Sequence, residues 1–99
     1  MMHVNIHESY RAVVSVCDSE LIGKKFEEGL KQLDLRERFY KGEELSEEQV
    51  IQMLQEQTKE DATFNIVGSN SINAAIKAGI IDESAVAKTA DIPYALKLL

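Results

Sequence analysis

The chain has 99 residues, 44% of them hydrophobic, and 17 acidic against 11 basic side chains leave a net charge of -6. This length and composition argue for one globular domain over residues 1–99 and against disorder. The acidic balance opposes DNA or any long phosphate backbone, and no apolar run approaches the ~20 residues that span a bilayer, so no membrane role is expected. The single cysteine, Cys17, fits a reducing cytoplasm, and MMHVNIHESY has neither the basic nor the apolar region of a signal peptide.

Residues 2–7 alternate, with Met2, Val4 and Ile6 on one face and His3, Asn5 and His7 on the other, the pattern of a half-buried strand. Glu8-Ser9-Tyr10 turns the chain, and Arg11 to Cys17 reads as a second strand. Its valines at 13, 14 and 16 fall on both faces, which places it inside a sheet, in an antiparallel hairpin with the first. Asp18 stands where a helix N-cap belongs, with Glu20 in the first turn. Leu21, Ile22 and Phe26 then supply a helical stripe that Gly29 stops, although Gly23 within it costs ~1 kcal/mol relative to Ala.

Leu30 to Tyr40 (LKQLDLRERFY) reads as a strand, since Leu33 and Leu35 alternate with Asp34 and Arg36, and Lys41-Gly42 turns the chain. Ser46-Glu47-Glu48-Gln49 is a capping box, with Leu45 and Val50 placed as a hydrophobic staple. Val50, Met53, Leu54 and Gln57 follow on one face of the helix it opens, and Thr58 to Asp61 is a polar connection.

The stretch FNIVGSNSINAAIKAGIID, Phe64 to Asp82, combines a strand, a glycine turn, a capped helix and a glycine stop. In its helix Ile72, Ala75, Ile76 and Gly79 share a face, and the small Ala75 and Gly79 permit close approach to a sheet. Asp82-Glu83-Ser84 makes a turn or one helical turn, Val86 to Thr89 a short strand, and Asp91-Ile92-Pro93 a break. Tyr94 to Leu99 ends the chain as a strand, placed at an edge because Pro93 has no N–H. The order β-β-α-β-α-β-α-β-β predicts an α+β fold: a mixed sheet with about three helices packed mainly on one face.

Catalytic signatures are incomplete. A P-loop ending at Gly23-Lys24 would need glycine where Asp18 stands, and there is no GxGxxG, CxxC or GxSxG. His3 and His7 share a strand face at ~13 Å separation, too far apart for one metal, and read as solvated. Cys17 next to a helix start could titrate low, but Asp18 beside it favours a buried structural thiol. No cofactor is expected.

Two segments remain as candidate sites. Gly68, Ser69, Asn70 and Ser71 open a helix, where N–H groups and hydroxyls can hold a phosphate or carboxylate, although serine and asparagine there are also ordinary caps. Arg36, Arg38, Phe39, Tyr40 and Lys41 mix three cations with two aromatics. They suit a weak local RNA contact by stacking and phosphate pairing. Alternatively Phe39 and Tyr40 close the core while the arginines pair with Asp34, Glu37, Glu43 or Glu44.

The pieces LDLRERFYKGEEL, FNIVGSNSINAAIKAGIID and IPYALKLL together resemble a small archaeal family of single-domain proteins of about this length, known only as a domain of unknown function. Its marks here are Phe39-Tyr40-x-Gly42, Asn65-x-x-Gly68, the Ala75 to Gly79 helix end and Ile92-Pro93. At residue 94 the resemblance leads one to expect histidine, and Tyr94 argues against a metal or acid–base role there. Members of that family tend to be encoded near translation and ribosome-biogenesis genes. The resemblance therefore implies a cytoplasmic binding or adaptor protein with a protein or ribonucleoprotein partner. The competing expectation is a small-molecule or phosphate-ligand domain, enzymes included, built on the helix start at Gly68–Ser71.

Overall fold

The alternating residues of the first two segments form an antiparallel pair, β1 (Met2–His7) and β2 (Val13–Asp18), with Val4 opposite Val16 and Ile6 opposite Val14. The computed structural model describes residues 1–8 and 10–97. After β2 come the hairpin β3 (Lys25–Glu28) and β4 (Lys31–Asp34), the single-turn helix α1 (Glu37–Tyr40), β5 (Glu43–Leu45) and helix α2 (Glu47–Gln57). β6 (Thr63–Val67), helix α3 (Ser69–Lys77), β7 (Ala87–Thr89) and β8 (Ile92–Lys97) complete the order. The main sheet runs β5-β1-β2-β6-β8-β7, and β3-β4 form a separate two-stranded sheet. Among the described residues only β2 and β6 pair in parallel, with α2 crossing over one face between them, and the other pairings are antiparallel. The α+β class and mixed sheet are as the sequence predicts. No helix among the described residues is long and apolar enough to cross a membrane.

Each face of the sheet has its own cover. Val50 and Leu54 of α2 and Ile72, Ala74 and Ala75 of α3 bury against Val14, Val16, Phe64 and Ile66. On the opposite face Leu21 and Leu35 close over Cys17 and Val67, with Phe26, Leu33 and Tyr40 packed around them. The predicted helix after Asp18 is therefore a 3₁₀ turn (Ser19–Leu21) followed by β3. Gly23 and Gly29 both take positive φ, +83 and +60, which breaks a right-handed helix at each end. Between them half-buried Phe26 alternates with exposed Lys25 and Glu27, so the stripe is a strand with one apolar face.

The predicted strand to Tyr40 likewise stops at Asp34, and residues 37–40 wind into α1. β5 has no apolar signature, being two exposed glutamates and a leucine, and exists through its backbone pairing with β1. The capping box is present: Gln49 N–H donates to Ser46 Oγ at 3.3 Å and Ser46 N–H to Gln49 Oε1 at 2.9 Å. Along α3 the buried face is wider than the predicted stripe, because Ala74 is buried as well as Ile72 and Ala75, and both alanines are fully buried. β8 is not an edge; it lies between β6 and β7. Pro93 is tolerated there because its nitrogen faces the end of β6, where the chain turns away at Gly68 and only the Pro93 carbonyl is needed, to accept from Gly68 N–H at 2.8 Å. Residues 98 and 99 of the predicted last strand lie outside the described residues.

Candidate functional site

The start of α3 is built by the parallel register of β2 and β6. Cys17 stands opposite Val67, which brings the next residue of β2, Asp18, beside Gly68. Asp18 is 2% exposed. Its Oδ2 accepts from Asn70 N–H at 3.1 Å, and its Oδ1 from Ser71 N–H at 2.8 Å and Ser71 Oγ at 2.7 Å. The carboxylate thus sits where the helix dipole and the free N–H groups favour a negative charge. Gly68 makes the approach feasible: its φ is +106, and a Cβ there would meet the Asp18 carboxyl group, 2.6 Å from either oxygen. The helix is capped, but not by Ser69 or Asn70 of its own first turn; the carboxylate comes from a strand 52 residues earlier. The sequence did mark Asp18 as a cap, for a helix that does not form.

An open cleft of about 420 Å³ lies next to this helix start, between α3 and the β7–β8 end of the sheet. Of Gly68–Ser71 it is lined by Ser69, together with Asn73, Ile76, Glu83, Lys88 and Pro93. Asn70 and Ser71 direct their N–H groups inward to Asp18 instead.

The second candidate segment is held from below by β1 and by Ser15 of β2. Asn5 Nδ2 donates to the Lys41 carbonyl at 3.0 Å, while His7 Nε2 and Ser15 Oγ each lie 2.9 Å from the Phe39 carbonyl. His3 Nδ1 lies 3.0 Å from the Gly42 carbonyl and 3.3 Å from its nitrogen. The polar face of β1, expected to be solvated, is therefore the bed on which residues 39–42 lie. Phe39 stacks on the His7 ring at 4.5 Å with 12° between planes, and Tyr40 meets Phe39 edge-on at 4.9 Å. Tyr40 packs into the cluster around Cys17, and burial raises its phenol pKa, with the Cys17 charge adding to the effect. Arg36 Nε donates to Asp34 Oδ2 at 2.8 Å, while Arg38 and Lys41 are exposed. The segment brings its aromatics inward and its cations outward, so bases and phosphates would not meet one continuous surface.

Cys17 is fully buried, and burial first, then Asp18 and Glu20, push its thiol up to about 12. It remains protonated at neutral pH, which removes it as a nucleophile. Among the described residues no group of three or more His, Cys, Asp or Glu side chains could hold a metal.

A family model described as a protein of unknown function (DUF424) matches residues 7–98, nearly the whole chain. The chain belongs to the DUF424 family. No curated protein matches it. Among solved structures this DUF424 chain is similar to an uncharacterized conserved protein from Methanopyrus kandleri, at 20% identity and a TM-score of 0.88, over 96% of this chain and 88% of that one. That likeness is one of fold. The DUF424 match takes in Asp18, Gly68–Ser71 and Arg36–Lys41, and leaves Met1–Ile6 outside.

Proposed function

We propose that this DUF424 protein is a non-enzymatic binding module that meets a protein or ribonucleoprotein partner of the translation apparatus in the cytoplasm. The observation that carries the reading is the full exposure of two large apolar side chains at turns. Tyr10, between β1 and β2, is 102% exposed, and Leu30, at the head of the β3–β4 hairpin, is 106% exposed. Neither contributes to the fold, and both would bury apolar area only against another molecule, where tyrosine in particular anchors interfaces. The groups with chemical potential are meanwhile engaged internally, Asp18 with α3, Phe39 and Tyr40 with β1 and the core. The translation setting rests on the family resemblance. An RNA component would be met by Arg38 and Lys41 through phosphates, weakly, with a salt slope of roughly −0.7 per contact.

The test is capture from native lysate by the tagged protein and by a Tyr10→Ser, Leu30→Ser variant. A partner retained by the wild type and lost from the variant is expected; identical profiles would refute the reading. A small-ligand role is favoured by one feature, the cleft lined by Ser69, Asn73 and Lys88. For that reading, phosphate or nucleotide should raise the melting temperature of the wild type and leave Lys88→Ala unmoved.

A further inference from the structure

The sheet edge at β1 is only half covered. β5 pairs with Met2 to Val4, while β1 runs on to His7. The covering chain leaves the edge at Gly42, where His3 and Asn5 draw Gly42 and Lys41 onto the opposite face. Gly42 packs directly on the Val4 carbonyl oxygen, so that carbonyl points outward, toward β5. In an antiparallel strand the N–H and C=O of one residue point the same way and the direction alternates along the chain. Ile6 must therefore aim both its backbone groups at the same edge, and among the described residues nothing there bonds to them.

Two hollows of about 420 and 430 Å³ flank this stretch, and Ile6, 38% exposed, lines both. Leu45, Met53 and Glu43 border the first, and Glu8, Gln57 and Glu60 the second. Their linings contain three glutamates and neither lysine nor arginine. An apolar floor, a free backbone edge and an acidic rim coincide. The carboxylates would repel a second copy paired edge to edge, and equally a phosphate backbone, while attracting a basic chain.

We propose that the β1 edge at residues 5–8 binds an extended, Lys- or Arg-rich segment of a partner protein as an added strand, with an apolar residue at alternate positions. This rests on the binding-module reading above and names its partner's chemistry. Strand addition satisfies the Ile6 backbone, and side chains two residues apart on one face, ~6.8 Å in an extended chain, match the two hollows in turn. One apolar side chain enters between Ile6, Leu45 and Met53 and the next, two residues on, between Ile6 and Ala12, while the cations that alternate with them reach Glu43, Glu8 and Glu60 at the rim.

The experiment is an amide NMR titration of the full chain with a blocked peptide alternating lysine and valine, beside one alternating glutamate and valine. The lysine peptide is expected to shift the amides of Ile6, Glu8, Met53 and Gln57 and to slow exchange of the Ile6 N–H, and the glutamate peptide to leave them in place. A Glu8→Lys, Glu60→Lys variant, its fold checked by the same spectrum, should bind the lysine peptide about tenfold more weakly. No binding of the lysine peptide, shifts centred elsewhere, equal binding of both peptides, or self-association through these amides would each overturn the proposal. Should the peptide fail while capture through Tyr10 and Leu30 persists, the edge assignment falls and the binding module stands. Peptide binding without any captured partner would have the reverse meaning.

Discussion

Removal of the Asp18 carboxylate is the sharpest test of how this molecule is assembled. Its two oxygens accept three hydrogen bonds, at 3.1, 2.8 and 2.7 Å, at a position 2% exposed. A hydrogen bond to a charged group contributes ~1.5–3 kcal/mol, and an orphaned buried donor costs ~1–3 kcal/mol. Asp18→Asn keeps the shape, loses the charge and turns an amide NH₂ toward one of the donors. A loss of about 2–3 kcal/mol is expected. Asp18→Ala leaves Ser71 N–H and Oγ without an acceptor, for about 3–5 kcal/mol. Against a total of roughly 5–15 kcal/mol for a domain of this size, either loss is plain in a urea melt. Ser69→Ala serves as the control and should cost under about 0.5 kcal/mol, because the Ser69 side chain makes no capping bond. Millimolar formate should stabilise Asp18→Ala and leave the wild type unchanged, since only the variant has an empty anion position. An Asp18→Asn variant within about 0.5 kcal/mol of wild type, or a Ser69→Ala loss as large, would refute the assignment of the cap.

Ser46→Ala should cost about 1 kcal/mol in the same melt through loss of the capping box; an unchanged midpoint would count against it. Ala74→Leu and Ala75→Leu should each destabilise by about 1–3 kcal/mol, since both alanines are fully buried. A neutral Ala74→Leu would contradict the close packing around that position. Burial raises the folded Cys17 thiol from 9.0 to about 12, so the folded state holds its proton more tightly than the unfolded one. Its contribution is complete below pH 9.0 and declines as pH climbs toward 12; the alkaline loss of stability should shrink in Cys17→Ala. Iodoacetamide at pH 8 should leave the native thiol unmodified.

Local chemistry was enough to place several elements. The alternation of residues 2–7, the box at Ser46–Gln49 and the glycine-bounded helix after Gly68 each depend on neighbours within a few positions, and each stands where the sequence puts it. Three other features depended on partners far along the chain. Phe26 lies on a strand because the sheet face beneath it carries Cys17 and Val67 and needs a cover, while its own neighbours suit a helix equally well. β5 exists because β1 offers it a backbone edge, which no side-chain pattern records. Asp18 reads as a helix cap in isolation, and it is one, but only the parallel register of β2 against β6 decides that the helix is α3. The same register sets the Asp18 carboxylate against the Asn70 and Ser71 N–H groups at the α3 start. Sequence patterns encode what a residue does for its own element, whereas the pairing of β5 and the capping of α3 join residues from 39 (Val4 and Glu43) to 53 (Asp18 and Ser71) apart, and those are set by the packed sheet.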